Sequence, residues 1–364
     1  MMKSFFIFGR NPELSRAELY SYFKGNSIGY KELVFHRNYA IVESDEFKLN
    51  IQDFGGIMKA GRISFSGSFE GFYDFLKGHE LVDAEKFTYA IFGNTDDELL
   101  VEKFRTDKKR AIIRRGRKNL QLQKGRYVSL PKAEIEFFMH EEDDDFYFGA
   151  IEQDYSYEQV KERDMKKPVR RESLAISPRL AKILVNLSQT KKGGLVLDAF
   201  CGVGGIMQEA LLRGINAYGI DKDARAIEDA KRNLKWLENN FDIKANYKLL
   251  NTDAKSAPNI SFDGVASEPA LGKTFRKKPK EREAEEFIRQ FENLIIGVLQ
   301  KLKKLKKKDA KIAITIPFIR SHFADIKRIC RETSLNIYGF DDIKFPIKEF
   351  REDQFVGREF VVFI

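Results

Sequence analysis

The chain has 364 residues, a length that suits two domains better than one, and its 43% hydrophobic and 33% charged composition excludes a fibrous or disordered polypeptide. No run approaches the ~18 apolar residues of a membrane helix, the opening MMKSFFIFGR does not read as a secretory signal, and two cysteines, Cys201 and Cys330, are too few for a disulfide framework or a zinc site; a cytoplasmic protein is expected. Lys and Arg total 64 against 55 Asp and Glu, and this net charge of +9 suits a polyanionic partner, because neutralised phosphates release counterions.

In chain order, strand patterns occur at 4–9 (SFFIFG), 39–44 (YAIVES), 86–93 (KFTYAIFG) and 145–153 (DFYFGAIEQ). A helix is expected after Asn11, with Ser15 as its cap and Glu18 completing a capping box. Gly55-Gly56 opens the next element, and Glu98–Arg110 reads as a helix. Eight cations crowd residues 105–118: Arg105, Lys108, Lys109, Arg110, Arg114, Arg115, Arg117 and Lys118. Short alternating strands and helices predict an α+β region over 1–153. Residues 154–177 are charged, broken by Pro168 and without apolar periodicity, which predicts a linker.

From Pro178 the pattern is βαβ. Helices are expected at 178–189, 206–213, 224–237, about 281–305 and near 320–332. Strands are expected at 195–197, 216–220, 246–250, 263–267, 311–316, 335–340 and 359–364. Apolar strands separated by helices predict a doubly wound, Rossmann-like α/β sheet over 178–364. Its seventh strand follows without a crossover helix and should run antiparallel, as in class I methyltransferases.

The chemistry gathers where these strands end. Asp198-Ala-Phe200-Cys-Gly202-Val-Gly204-Gly follows a buried strand and opens a helix, so its glycines let the backbone approach a ligand. Asp221 ends the next strand, 23 residues on, where a carboxylate accepts from ribose hydroxyls. Asp253, after the third strand, is placed for an adenine amine, or as an ordinary N-cap. The glycine spacing lacks the third position of a dinucleotide fingerprint, and Asp198 would repel a pyrophosphate but hold a cationic amino group. This points to S-adenosylmethionine, bound by Asp198, Phe200, Gly202, Gly204, Asp221 and Asp253, and disfavours a nicotinamide oxidoreductase. His36, His79, His140 and His322 are scattered, so no metal site is expected.

Glu268-Pro269-Ala270-Leu271 follows the fourth strand, at the sheet edge where ligands bind. With DAFCGVGG, Asp221, the N-terminal FIFGRNPELSRAEL and the ending DQFVGREFVVFI, it resembles the THUMP-containing family that methylates guanosine-10 of tRNA at N2. The resemblance implies a ferredoxin-like part and a THUMP domain before a class I methyltransferase domain, Glu268 and Pro269 at the reacting amine, and tRNA as partner. Some relatives also require a small zinc-binding activator subunit. Where the family has Asp, two prolines and an aromatic, this chain has Glu268, Pro269, Ala270 and Leu271, and a leucine does not stack on a base as an aromatic does. A non-catalytic or altered-specificity RNA-binding relative is therefore the alternative. Candidate RNA contacts are Arg110, Arg114, Arg115, Arg117 and Lys118 in the basic tract, and Arg276, Lys277 and Lys278 beside the Glu-Pro turn.

Overall fold

In chain order the elements are β1 (Met2–Phe8), α1 (Pro12–Gly25), β2 (Tyr30–His36), β3 (Tyr39–Ser44), β4 (Ile57–Gly67), α2 (Phe69–Gly78), β5 (Lys86–Gly93), α3 (Glu98–Thr106), β6 (Arg110–Ile113), β7 (Ile135–Glu142), β8 (Asp145–Ala150) and β9 (Gln153–Asp154). They continue as α4 (Tyr157–Lys166), α5 (Pro178–Leu187), β10 (Leu195–Asp198), α6 (Gly205–Leu212), β11 (Asn216–Asp221), α7 (Ala224–Asn240), β12 (Tyr247–Asn251), β13 (Phe262–Ser267), α8 (Glu281–Leu305), β14 (Lys306–Ile319), α9 (Ile326–Thr333), β15 (Ile347–Glu349) and β16 (Val356–Phe363). The structure is a computed structural model that describes residues 1–45, 49–115, 132–171, 176–269, 279–340, 342–350 and 354–364. Two units result: Met1–Pro12 with Ile28–Gln52 and Ile57–Tyr155, and Glu13–Ser27 with Asp53–Gly56 and Ser156–Ile364.

The first unit is a mixed sheet in the order β2-β3-β1-β4-β8-β7-β5-β6, with β9 beside β4. Phenylalanines fill it: Phe5 stacks on Phe138 at 4.2 Å and Phe72 on Phe146 at 4.1 Å between ring centres. The helix expected to reach Arg110 ends at Thr106. Lys108 takes a left-handed φ of 57°, Lys109 N–H bonds back to the Phe104 carbonyl, and the chain leaves as strand β6.

In the second unit, β12-β11-β10-β13-β14-β16-β15 form a seven-stranded sheet. β12 through β14 are mutually parallel, and β16 runs antiparallel to both β14 and β15. The expected last strand is thus present and reversed. Ile288, Phe291, Ile295, Leu299 and Leu302 of α8 pack the core against Ile312, Ile314 and Ile316. β14 starts at Lys306, directly after α8, so the lysine run divides between a helix end and a strand start. Residues 335–340 do not form the expected strand: an isolated bridge pairs Ile337 with Phe363, through backbone hydrogen bonds of Asn336 with Ile364 and of Tyr338 with Val362, while 347–349 build the ladder. The expected linker holds helix α4, capped by Ser156. It buries only Val160 and is fastened by Arg163, which donates to both carboxylate oxygens of Glu209 at 2.7 and 3.0 Å. A polar clasp of this kind leaves no apolar periodicity to read.

The capping box read at Ser15 and Glu18 is not one. The helix begins at Pro12, a residue suited to a first turn because it has no N–H to leave unpaired. Ser15 and Glu18 therefore lie inside the helix and serve tertiary contacts. Glu18, fully buried, accepts from the Gly55 N–H at 2.7 Å, the Gly56 N–H at 2.6 Å and the Asn186 amide at 2.7 Å. Ser15 Oγ donates to the Gly56 carbonyl at 2.8 Å. A side chain at position 55 would lie 1.9 Å from the Arg179 carbonyl, so only glycine lets this loop close on α5. Burial raises the Glu18 carboxyl above its ordinary range, and the three donors pull it back.

Glu18→Ala would leave these donors buried without an acceptor, a penalty of about 1–3 kcal/mol for each unsatisfied group. Urea unfolding should show a loss of about 3 kcal/mol or more, with a smaller loss for Glu18→Gln, which keeps one acceptor oxygen. Equal losses in the two variants would contradict the acceptor role.

Candidate active site

The carboxyl edge of the second sheet brings Asp198, Asp221 and Glu268 to the ends of, or one residue beyond, β10, β11 and β13. β10 is a buried apolar run, and it carries Asp198 into the interior with 1% of its surface exposed. Asp198 Oδ1 accepts from Ser267 Oγ at 2.6 Å and from the Phe200 N–H at 3.3 Å. Oδ2 is buried without a partner. Burial pushes this carboxyl up to about 7 even though Ser267 and Phe200 pull it down. A buried oxygen left unpaired costs free energy, and it suits a cationic ligand group.

Beyond Asp198 the chain turns through Gly202 and Gly204, with φ of 52° and 84°, a region other residues seldom adopt. Gly204 then caps α6. Cys201 N–H donates to the Ile220 carbonyl at 2.9 Å, which fixes the turn on β11. Its thiol is raised by burial and by the neighbouring Asp198 and Asp221 carboxylates, so the residue packs and is no nucleophile. Phe200 is half-buried against the core.

Asp221 faces the same turn. Its Oδ2 accepts from the Gly202 N–H at 2.9 Å and its Oδ1 from the Asp223 N–H at 2.9 Å. Each oxygen keeps a further lone pair for a hydroxyl donor. Asp253 is exposed and accepts from the Lys255 N–H at 2.8 Å, capping the short turn 254–256.

Glu268 leaves β13 one residue after Ser267. In the parallel ladder Ser267 lies opposite Ile314, so Thr315 follows beside Glu268. Thr315 Oγ1 donates to Glu268 Oε1 at 3.3 Å, and Arg358 Nε of β16 lies 3.1 Å from the same oxygen. Burial raises the Glu268 carboxyl, and Arg358 and Thr315 lower it. Pro269 is buried. Sequence reasoning missed Ser267, Thr315 and Arg358. Only Ser267 carries a signal, as the last residue of a strand that Glu268 directly follows.

A cavity of about 440 Å³ opens where chain leaves β14 and β15 and enters β16. Phe318, Phe323, Phe350 and Phe355 line it, with Arg320 and Lys348. Phe323 and Phe350 are 40% and 50% exposed, and the Lys348 ammonium lies 4.1 Å from the Phe323 ring centre.

The basic tract belongs to the first unit. Arg105, Lys108, Arg110 and Arg114 are exposed there, whereas Lys109 pairs with Glu80 and Arg115 with Asp97, each at 2.6 Å. Arg117, Lys118, Ala270, Leu271, Arg276, Lys277 and Lys278 lie outside the described residues. Among the described residues no group of three His, Cys, Asp or Glu side chains is placed to hold a metal ion, and no helix is long and apolar enough to cross a membrane.

Residues 168–308 match the family described as RMKL-like, methyltransferase domain, and residues 94–232 match one described as DNA methylase. The tRNA (guanine(10)-N2)-dimethyltransferase of Methanothermobacter thermautotrophicus is 35% identical over 99 residues, which are 27% of this chain and 28% of the relative. The protein of the same description from Pyrococcus abyssi is 34% identical over 119 residues, 31% of this chain and 34% of the relative. The chain thus spans about a third or less of the length of these two relatives. Among solved structures, TrmN from Thermus thermophilus superposes with a TM-score of 0.52 at 13% identity, over 100% of this chain and 99% of that one. The fold is the Rossmann-like α/β fold of methyltransferases.

Ser267→Ala removes the strongest of the interactions that lower the Asp198 carboxyl. Carbon-13 NMR titration should find Asp198 ionising near 7 in the parent and higher in the variant. An unchanged titration would contradict the coupling.

Proposed function

We propose that the protein is an S-adenosylmethionine-dependent tRNA methyltransferase acting on the exocyclic N2 amine of a guanosine, at position 10 by resemblance, in the cytoplasm. The observation that carries this reading is the buried, unpartnered Asp198 oxygen at the end of β10, beside a glycine turn, with Asp221 one strand over and Glu268 one residue past Ser267. Asp198 would hold the cationic amino group, Gly202 and Gly204 would admit the ligand against backbone, and Asp221 would take the ribose hydroxyls. Phe200 and Asp253 complete the proposed set, Asp253 toward the adenine amine. The relatives described above as tRNA (guanine(10)-N2)-dimethyltransferases support the substrate class.

When bound, the cofactor supplies an electrophilic sulfonium methyl. An N2 amine is a weak nucleophile because its lone pair is delocalised into the ring. Glu268 accepts an N–H of that amine, fixes it in line and stabilises the positive charge that develops on nitrogen, while buried Pro269 stiffens the turn that carries it. In the first unit, the proposed ferredoxin-like and THUMP region, Arg110 and Arg114 are the described candidates free to meet the tRNA backbone, because Arg115 is engaged with Asp97. A small zinc-binding activator subunit is a proposed partner on the resemblance alone.

The test is mass spectrometry of nucleosides from unmodified tRNA incubated with the protein and methyl-labelled cofactor. Labelled N2-methylguanosine or its dimethyl form is the expected product. Label in another nucleoside would overturn the guanine assignment, and binding of both ligands without transfer would establish the non-catalytic alternative. Asp221→Ala should weaken cofactor binding about tenfold or more in calorimetry, from the loss of a charge-assisted bond worth about 1.5–3 kcal/mol. Unchanged affinity would remove Asp221 from the site.

A further inference from the structure

We propose that Arg358 is a positioning residue that holds Glu268 by one carboxylate oxygen and leaves the other to receive the substrate amine. The inference rests on the methyl-transfer reading of this edge, and it concerns a residue at the opposite end of the domain sequence from the glycine turn.

The geometry is specific. A glutamate carries one more methylene than an aspartate, so its carboxylate wanders further from the backbone unless something fixes it. Here two groups meet Oε1: Thr315 Oγ1 donates to it at 3.3 Å, and the Arg358 Nε lies 3.1 Å away as an ion pair without hydrogen-bond alignment. Thr315 and Pro317 lie on one face of β14, and the antiparallel ladder sets Arg358 opposite Pro317, so Thr315 and Arg358 approach Glu268 from the same side. The pair is shielded, with 12% of the Glu268 side chain and 24% of that of Arg358 exposed. In the neighbouring ladder Arg358 lies opposite Glu349, which accepts from Arg179 of α5 at 2.6 Å. Arginine and glutamate thus alternate across this face: Arg179, Glu349, Arg358, Glu268.

The other charged groups bearing on Glu268 set the sign of its titration. Asp198 on β10 is a like charge, and its own carboxyl is raised by Glu268 as well as by burial. Thr315 on β14 is neutral, and Arg358 on β16 is the cation that favours the ionised form of Glu268. Without Arg358, burial favours the protonated form, which accepts less well and carries no charge to stabilise the amine.

The test compares the parent, Arg358→Met and Arg358→Lys. In single-turnover methylation of tRNA the acidic limb of the pH–rate profile should move to higher pH in the Met variant and return toward the parent in the Lys variant. At neutral pH kcat should fall about tenfold or more in the Met variant, while KM for tRNA and the affinity for cofactor stay within a few-fold. Carbon-13 titration of the Glu268 carboxyl, which needs no turnover, should move upward in the Met variant. A parent that transfers no methyl group would sink the methyltransferase reading, and the Glu268 titration would still decide the Arg358 pairing. An unmoved titration, an unmoved acidic limb, or an effect on KM alone would overturn the inference.

Discussion

The hydrogen bond from Ser267 to Asp198, 2.6 Å long and wholly buried, joins the carboxyl ends of β10 and β13. It occupies one oxygen of a carboxylate that the fold has taken out of water and leaves the other unpaired. A buried carboxylate is costly unless something compensates it, and here compensation is only partial. The left-handed glycines that follow, the bond from Gly202 to Asp221, and the exit of Glu268 directly after Ser267 all take their positions from this junction. The arrangement resembles a socket for a cation more than a structural ion pair.

A second strut completes the edge. Because β16 runs against its neighbours, its first residues lie where the parallel strands end. The reversed strand therefore delivers Arg358 to Glu268, which a seventh parallel strand, ending at this edge, would deliver only from its last residues. Glu268 is held on one side by β14 and β16 and lies next to Ser267 on the other. The proposed cofactor side and the proposed amine side of the edge are thus tied through adjacent residues, Ser267 and Glu268.

Much of this was legible in the sequence. β10, β11 and β13 are short apolar runs that stop at Asp198, Asp221 and Ser267, and runs bounded in this way read clearly. Spacing alone misleads at Ser15 and Glu18, because a serine and a glutamate three apart serve a helix cap or a tertiary clasp equally well. At Asp253 the observed bond is a cap, one of the two roles that its position after the third strand allows. Helix α4 was invisible because an arginine–glutamate clasp holds it in place of an apolar stripe. Arg358 lies in the ending DQFVGREFVVFI, yet its role depends on ladder register, which no local pattern encodes. The ion pairs within the basic tract are hidden for a similar reason: Glu80 and Asp97, which engage Lys109 and Arg115, are distant in sequence.

The proposed socket at Asp198 is tested most directly by calorimetric affinity for S-adenosylmethionine between pH 5.5 and 7.5. In the free protein Asp198 is largely protonated below about 7. A cation bound at Oδ2 favours the ionised form, so binding must release that proton, and affinity should rise with pH, by at most about tenfold per unit, before levelling near neutrality. Asp198→Asn should bind more weakly and lose this slope. Binding by the parent that is independent of pH, or an Asn variant as tight as the parent, would contradict it.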